Sequence, residues 1–193
     1  MRKDDQRVKK FVEMATIVEN TAIIPEVWKM VFQAPQTARE AKAGQFVNVH
    51  RDGGQTFLRR PFGIVDADVD AGTVTIIYRL VGVGTEEMKD LRPGDVLNVE
   101  GPLGDGIFTT TPGKVLLAGG GVGLAPLIFL AKQLDHPIVL VAGKTAAETF
   151  WTQFFEPYAE EIYVTTDDGS KGIKGYAVEA LPKIFSEHPI DRV

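Results

Sequence analysis

A chain of 193 residues, 44% hydrophobic and 24% charged, has the composition of a soluble globular protein of one or two domains. Its 26 acidic and 21 basic residues leave a formal net charge of −5, which gives no electrostatic reason to expect nucleic acid as a partner. The absence of cysteine excludes disulfides, thiolate metal sites and cysteine nucleophiles within these residues.

The first ten residues, MRKDDQRVKK, form a charged tail without the apolar stretch of a signal peptide, which predicts a cytoplasmic location. From residue 11 to about 111 the chain reads as strands and turns. FVEMATIVEN, VWKMVFQAP, GQFVNVHRD, PFGIVDAD, GTVTIIYRLVG and DVLNVEG each carry β-branched or aromatic residues bounded by Gly, Pro, Asp or Asn. Six short strands at this spacing predict a small antiparallel barrel or sandwich. One short helix is expected over TEEMKDL, with Thr85 as its N-cap.

Pro112-Gly113 marks a boundary. Beyond it, strands at 115–118, 138–142 and 162–166 alternate with helices at about 124–134, 147–155 and 176–186, the pattern of an α/β doubly wound parallel sheet. The domains expected are thus a tail at 1–10, a β-barrel at 11–111 and an α/β domain at 112–193. The final EHPIDRV leaves a helix and starts a new apolar run at Val193, so the α/β domain is expected to be incomplete, as in a truncated form of a longer protein.

The segment GKVLLAGGGVGLAPLIFLAKQL holds 17 consecutive uncharged residues between Lys114 and Lys132. A membrane-spanning helix needs roughly 20 apolar residues with few interruptions. Gly119, Gly120, Gly121, Gly123 and Pro126 stand in its middle, so a strand, a tight glycine turn and a helix fit better. The spacing Gly121-x-Gly123-x-x-Pro126 departs from Gly-x-Gly-x-x-Gly, yet glycines before a helix let backbone N–H groups approach a pyrophosphate. The alternative is a closely packed turn that binds nothing.

Three further stretches invite the same question. In LRRPFGI two arginines precede a strand; they are either a phosphate fork or solvated surface charges. In IIYRLVGVGTEE a strand ends in Tyr78-Arg79 and Gly82, Gly84 and Thr85 open a helix, a second anion site unless Glu86 and Glu87 already complement the helix dipole. EGPLGDG by itself is a tight turn. The histidines, His50, His136 and His188, are scattered, form no metal-ligand spacing, and read as loop or surface residues away from any carboxylate cluster.

Together and in this order, the RRP before a strand, IIYR, GVGT, GPLG, GGGVGLAPL and VTTDDGS resemble the ferredoxin–NADP reductase superfamily. Within it the chain is similar to the electron-transfer subunits of bacterial dihydroorotate dehydrogenase, from about Phe11 to Val193. The resemblance implies a six-stranded FAD-binding barrel followed by a nicotinamide-binding α/β domain. It implies that Arg60, Pro61, Phe62 and Gly63 line the FAD, that Ile77, Tyr78 and Arg79 continue that site, and that Gly84 and Thr85 bind phosphate. Gly120, Gly121 and Gly123 would meet the nicotinamide dinucleotide. Asp167, after the third strand of the α/β domain, would repel a 2′-phosphate and favour NAD over NADP, although Asp167-Asp168 also suits plain turn chemistry before Gly169.

The activity implied is electron transfer between NAD(H) and a catalytic dehydrogenase subunit in pyrimidine biosynthesis, with the chemistry carried by cofactors and no catalytic side chain. A stand-alone NAD(P)H reductase with a soluble acceptor and a non-enzymatic nucleotide-binding module are the alternatives. No membrane and no metal partner is expected. Two departures stand out. Gly63 occupies a position where the superfamily usually carries Ser or Thr near flavin N5, and the [2Fe–2S] cluster of these subunits lacks any cysteine ligand in this chain.

Overall fold

The computed structural model describes residues 9–110 and 112–193; most of the tail read at 1–10 lies outside the described residues. The chain divides into two compact units, 1–108 and 109–193.

The first unit is a closed antiparallel barrel of six strands: β1 (Phe11–Ile24), β2 (Val27–Gln33), β3 (Phe46–His50), β4 (Arg60–Asp68), β5 (Thr73–Arg79) and β6 (Val96–Leu103). Their order around the barrel is β1-β2-β5-β4-β3-β6. Side-chain alternation sends Ala15, Ile17, Met30, Phe32, Val47, Val49, Ile64, Val74, Ile76, Leu97 and Val99 inside, each at most 1% exposed. Partners along β1 change from β6 to β2 near Thr16, which pairs with both Val96 and Gln33.

A helix that the sequence pattern did not announce, α1 (Pro35–Glu40), follows β2. Pro35 suits its first turn, but its N-cap residue Ala34 has no side-chain acceptor. Glu13 on β1 supplies one from a distance. Its carboxylate accepts the Gln36 and Thr37 N–H groups at 3.0 and 2.8 Å and the Thr37 hydroxyl at 2.6 Å. Two of the helix's orphan donors are thereby satisfied, that of Thr37 in the interior, where Glu13 is 8% exposed.

The second helix, α2 (Val83–Lys89), begins two residues before the expected Thr85 cap, with Gly82 as N-cap and Thr85 one turn in. The shift has a local cause. The Thr85 hydroxyl accepts the N–H groups of Val81 and Gly82 and donates to the Gly82 carbonyl, so it closes the turn from within the helix.

The second unit carries a four-stranded parallel sheet, β10-β9-β8-β7, built from β7 (Leu116–Gly120), β8 (Ile138–Gly143), β9 (Glu161–Thr166) and the two-residue β10 (Ile173–Lys174). The sequence pattern showed three of these strands; β10 is too short to carry a period. Helices α3 (Ala125–Ala131), α4 (Thr152–Phe155) and α5 (Leu181–Glu187) are each preceded by a 3-10 turn. On one face of the sheet Leu116, Ile138, Leu140 and Tyr163 bury against Ala180 and Ile184. By alternation Leu117, Val139 and Val141, all buried, face the other side. The last residues add a parallel bridge, Val115↔Arg192, on the outer side of β7.

Candidate functional site

In the barrel, the two motifs singled out from sequence are the two lips of one opening. Strand β4 meets β5 only from Ile64↔Ile76 onward. Before that point Arg60–Gly63 pair with β3, while Ile77–Arg79 pair with β2. The strands therefore part where these motifs begin, and backbone that neighbouring ladders use elsewhere faces a gap. Pro61 is tolerated there because no β5 acceptor waits for its missing N–H.

Adjacent arginines separate. Arg59 turns to β6, donating to the Asn98 side-chain oxygen at 2.6 Å and the Asn98 carbonyl at 3.2 Å, with Glu100 3.8 Å away. Arg60 turns to α2. A Cβ placed on Gly84 would lie 2.9 Å from Arg60 Nε, 3.2 Å from Nη2 and 3.3 Å from Cζ, while Nη1 donates to the Leu58 carbonyl at 2.5 Å. The guanidinium therefore rests on the bare backbone of the first turn of α2, and only glycine admits it there. A guanidinium beside the first turn of a helix is a combination of donors suited to an anion.

Thr85, expected to bind phosphate, spends its hydroxyl on the loop. With one donated and two accepted bonds it has no capacity left. Its contribution is the shape of the turn that presents Gly84. Glu86 pairs with Lys89 at 2.9 Å, and Glu87 accepts the Gln55 N–H at 2.7 Å, which ties the loop between β3 and β4 to α2.

Ile77 and Tyr78 are also placed differently from a simple cofactor lining. They are 4% and 1% exposed, so at the opening they offer backbone. The Tyr78 ring lies 5.8 Å from that of Phe62, tilted by 55°. Its hydroxyl donates to the Asn20 side-chain carbonyl at 2.9 Å, and burial holds the phenol above its ordinary range, so it remains a donor. Asn20 and Glu13, both on β1, are residues that sequence reasoning missed; a polar residue in a strand carries no mark of a partner so far away in sequence.

In the second unit the glycines divide the work. A Cβ on Gly120 would come within 3.0 Å of the Ala142 carbonyl of β8, so Gly120 allows close packing. Gly121 has φ +56° and open space around it, and Gly123 also faces open space. These two leave the backbone bare at the start of a 3-10 turn that runs into α3. Parallel register sets Gly120 beside Ala142 and Gly143 beside Thr166, so the glycine turn and the segment after β9 share the carboxyl edge of the sheet. That edge is where open α/β sheets bind ligands.

The two aspartates there differ. Asp168 accepts the Ser170 N–H at 2.9 Å and its hydroxyl at 2.6 Å, bonds that hold its carboxyl below the usual range. This is turn chemistry. The Asp167 N–H donates to Gly143 while its side chain is exposed.

One expectation about the histidines is corrected. His188 does sit in a carboxylate cluster: ligand atoms of Glu161, Glu187 and His188 lie within 4.8 Å of one another. Folding brings the end of α5 onto the start of β9, where Tyr163 donates to Glu187 at 2.6 Å and His188 Nε2 is 3.0 Å from Glu161. His50 and His136 pair with the nearby Asp52 and Asp135. Among the described residues no helix is long and apolar enough to cross a membrane, and the 113–134 segment divides into β7 and α3 with a 3-10 turn between them.

Residues 14–108 match the oxidoreductase FAD-binding domain family. The electron transfer subunit of dihydroorotate dehydrogenase B (NAD(+)) from Fusobacterium nucleatum is 36% identical over 185 residues, covering 92% of this chain and 71% of that one. Its counterpart from Caldanaerobacter subterraneus is 35% identical over 173 residues, covering 90% and 68%. The structure of an NADH-dependent reduced ferredoxin-NADP oxidoreductase superposes with a TM-score of 0.78 at 30% identity, and this chain spans 64% of it. A ferredoxin NADP+ reductase from Neisseria gonorrhoeae shares the fold, with a TM-score of 0.73 at 17% identity.

Proposed function

This chain belongs to the FAD-binding oxidoreductases, in the family of dihydroorotate dehydrogenase electron transfer subunits, and from that premise we propose that it holds FAD on its barrel and relays electrons between NAD(H) and a catalytic dehydrogenase subunit. The observation that carries the reading is the Arg60 guanidinium seated on Gly84, a cradle that a Cβ would fill. It fits a pyrophosphate by charge, by planar donor geometry and by the absence of a side chain between anion and backbone. Phe62 and the backbone of Ile77–Arg79 would face the isoalloxazine across the gap between β4 and β5, with Tyr78 packed as the floor. At position 63 only the backbone N–H is left to donate toward flavin N5.

FAD, when bound, supplies acceptance of an electron pair from reduced nicotinamide and release of single electrons. The protein's own residues bind and orient. Arg60 neutralises phosphate charge, and Gly121 and Gly123 would admit the second dinucleotide's pyrophosphate to bare backbone. Asp167 would oppose a 2′-phosphate, which is the basis for NAD rather than NADP. The chain has no cysteine, so iron–sulfur ligands do not come from it.

The test is reconstitution. The purified protein titrated with FAD should quench flavin fluorescence with a saturable isotherm. Arg60→Ala should raise the dissociation constant about ten- to a hundredfold, the effect of losing a charged hydrogen-bonding partner. Equal FAD affinity in both proteins would remove the cradle assignment. Stable co-elution with a dihydroorotate dehydrogenase catalytic subunit tests the partner.

A further inference from the structure

Asn20 lies outside the opening yet touches both of its supports. On one side its carbonyl oxygen accepts the Tyr78 hydroxyl at 2.9 Å. On the other its amide nitrogen donates to the carbonyls of Met88, Leu91 and Lys89 at 2.8, 3.0 and 3.3 Å. The amide orientation follows from the partners, because three carbonyls can only accept and the buried phenol donates. Met88 and Lys89 end α2, within the last turn whose carbonyls lack i+4 helical partners; the Met88 carbonyl also accepts the Leu91 N–H at 3.2 Å. Asn20 is thus a C-cap supplied by β1, from 68 residues upstream in the case of Met88.

The two things it joins are the two ends of the opening. Tyr78 underlies Phe62, the aromatic wall on β4 and β5. Helix α2, about 10 Å long at 1.5 Å per residue, carries Gly84 and the Arg60 contact at its other end. A continuous path therefore runs from the wall through Tyr78, Asn20 and the α2 backbone to the anion cradle. A shift of α2 along its axis would break the Asn20 bonds, so this side chain fixes how far the cradle stands from the wall.

We propose that Asn20 is a positioning residue for FAD, holding the flavin wall and the pyrophosphate cradle in register so that one molecule can use both. This rests on the flavin reading above. A ligand spanning two subsites gains from linkage only when their separation matches its own length. A ligand using one subsite gains nothing from that match. Loss of Asn20 should therefore weaken FAD and spare a ligand that uses the cradle alone.

Dissociation constants for FAD come from flavin fluorescence, and those for ADP from displacement of FAD, in wild type, Asn20→Leu and Tyr78→Phe. Tyr78→Phe cuts the path at its other joint while Asn20 still caps α2, so it tests the idea even if Asn20→Leu folds poorly. Expected is a rise of about tenfold or more for FAD with a change of under about twofold for ADP, the signature of lost linkage. The double variant should be no worse than the weaker single one, since either break severs the same path. FAD and ADP weakening in parallel would mean general damage and would overturn the proposal, as would unchanged FAD affinity in both variants. A wild-type protein that binds no FAD would instead remove the flavin reading itself.

Discussion

Gly84→Ala tests the cradle with the smallest possible change. The added Cβ would stand 2.9 Å from Arg60 Nε, 3.2 Å from one terminal nitrogen and 3.3 Å from Cζ. Contacts that short are not tolerated, and the yielding partner is the end of a flexible side chain rather than backbone. The guanidinium should move off the helix while the fold stays intact. Ala is also the better helix former, by about 0.5–1 kcal/mol in a helix interior, so the ligand-free protein should be unchanged or slightly stabilised. A charge-assisted hydrogen bond contributes about 1.5–3 kcal/mol, which is roughly a ten- to hundredfold loss in FAD affinity. The two effects have opposite signs. Thermal unfolding of the apoprotein and fluorescence titration with FAD measure them separately. A variant that keeps wild-type FAD affinity, with thermal stability at or above wild type, would refute the seating of pyrophosphate between Arg60 and Gly84.

Gly121→Val forces a β-branched residue into φ +56° at the turn before α3. NADH should then fail to reduce bound flavin while FAD stays bound; ordinary bleaching on NADH addition would count against the glycine turn as the second cradle. Asp167→Ala should narrow the preference for NADH over NADPH, read as the ratio of kcat/KM values, and an unaltered ratio would leave Asp167 without a role in selection. Glu13→Ala strands the buried Thr37 N–H, at a cost of about 1–3 kcal/mol for an unpaired buried donor, and removes the bond to the exposed Gln36. Denaturant unfolding should show a clearly lowered midpoint; stability within experimental error of wild type would mean that α1 needs no cap from β1. Asp168 has a lowered pKa in the folded protein, chiefly through the Ser170 hydroxyl, so its stabilising effect is present above the ordinary carboxyl range and is lost as pH falls through the lowered value. In a carbon-detected NMR titration, Ser170→Ala should move the Asp168 midpoint upward, and an unmoved midpoint would deny the hydroxyl that role.

The barrel strands were legible because they carry local signals. Runs of β-branched and aromatic residues closed by Gly, Pro, Asp or Asn mark the strands, although alternation in β1 is only partial: Val12, Met14 and Val18 are apolar yet face outward, and Glu13 faces inward. The glycine turn at 119–123 was legible for the same reason. Helix α1 was not, because its cap is Glu13, more than twenty residues earlier, and Ala34 at the local cap position says nothing. For Arg59 and Arg60 the resemblance singled out Arg60, but the partners of the two, Asn98 and Gly84, were not legible, since the letters are identical and only the neighbours differ.

By itself, the amino-acid sequence determined the class of each half, the order of strands along the chain, the absence of thiolate chemistry and the short motifs that resemble a flavin-dependent family. All of these depend on residues within a turn or a strand of one another, or on composition. Tertiary structure alone decided that β4 and β5 part at Ile64↔Ile76, that Arg60 rather than Arg59 meets α2, that Thr85 shapes its loop instead of offering a hydroxyl, and that Asn20 ties Tyr78 to the end of that helix. For all but the Thr85 turn, whose partners Val81 and Gly82 are local, the physical reason is that residues far apart in sequence are brought together only when the barrel closes.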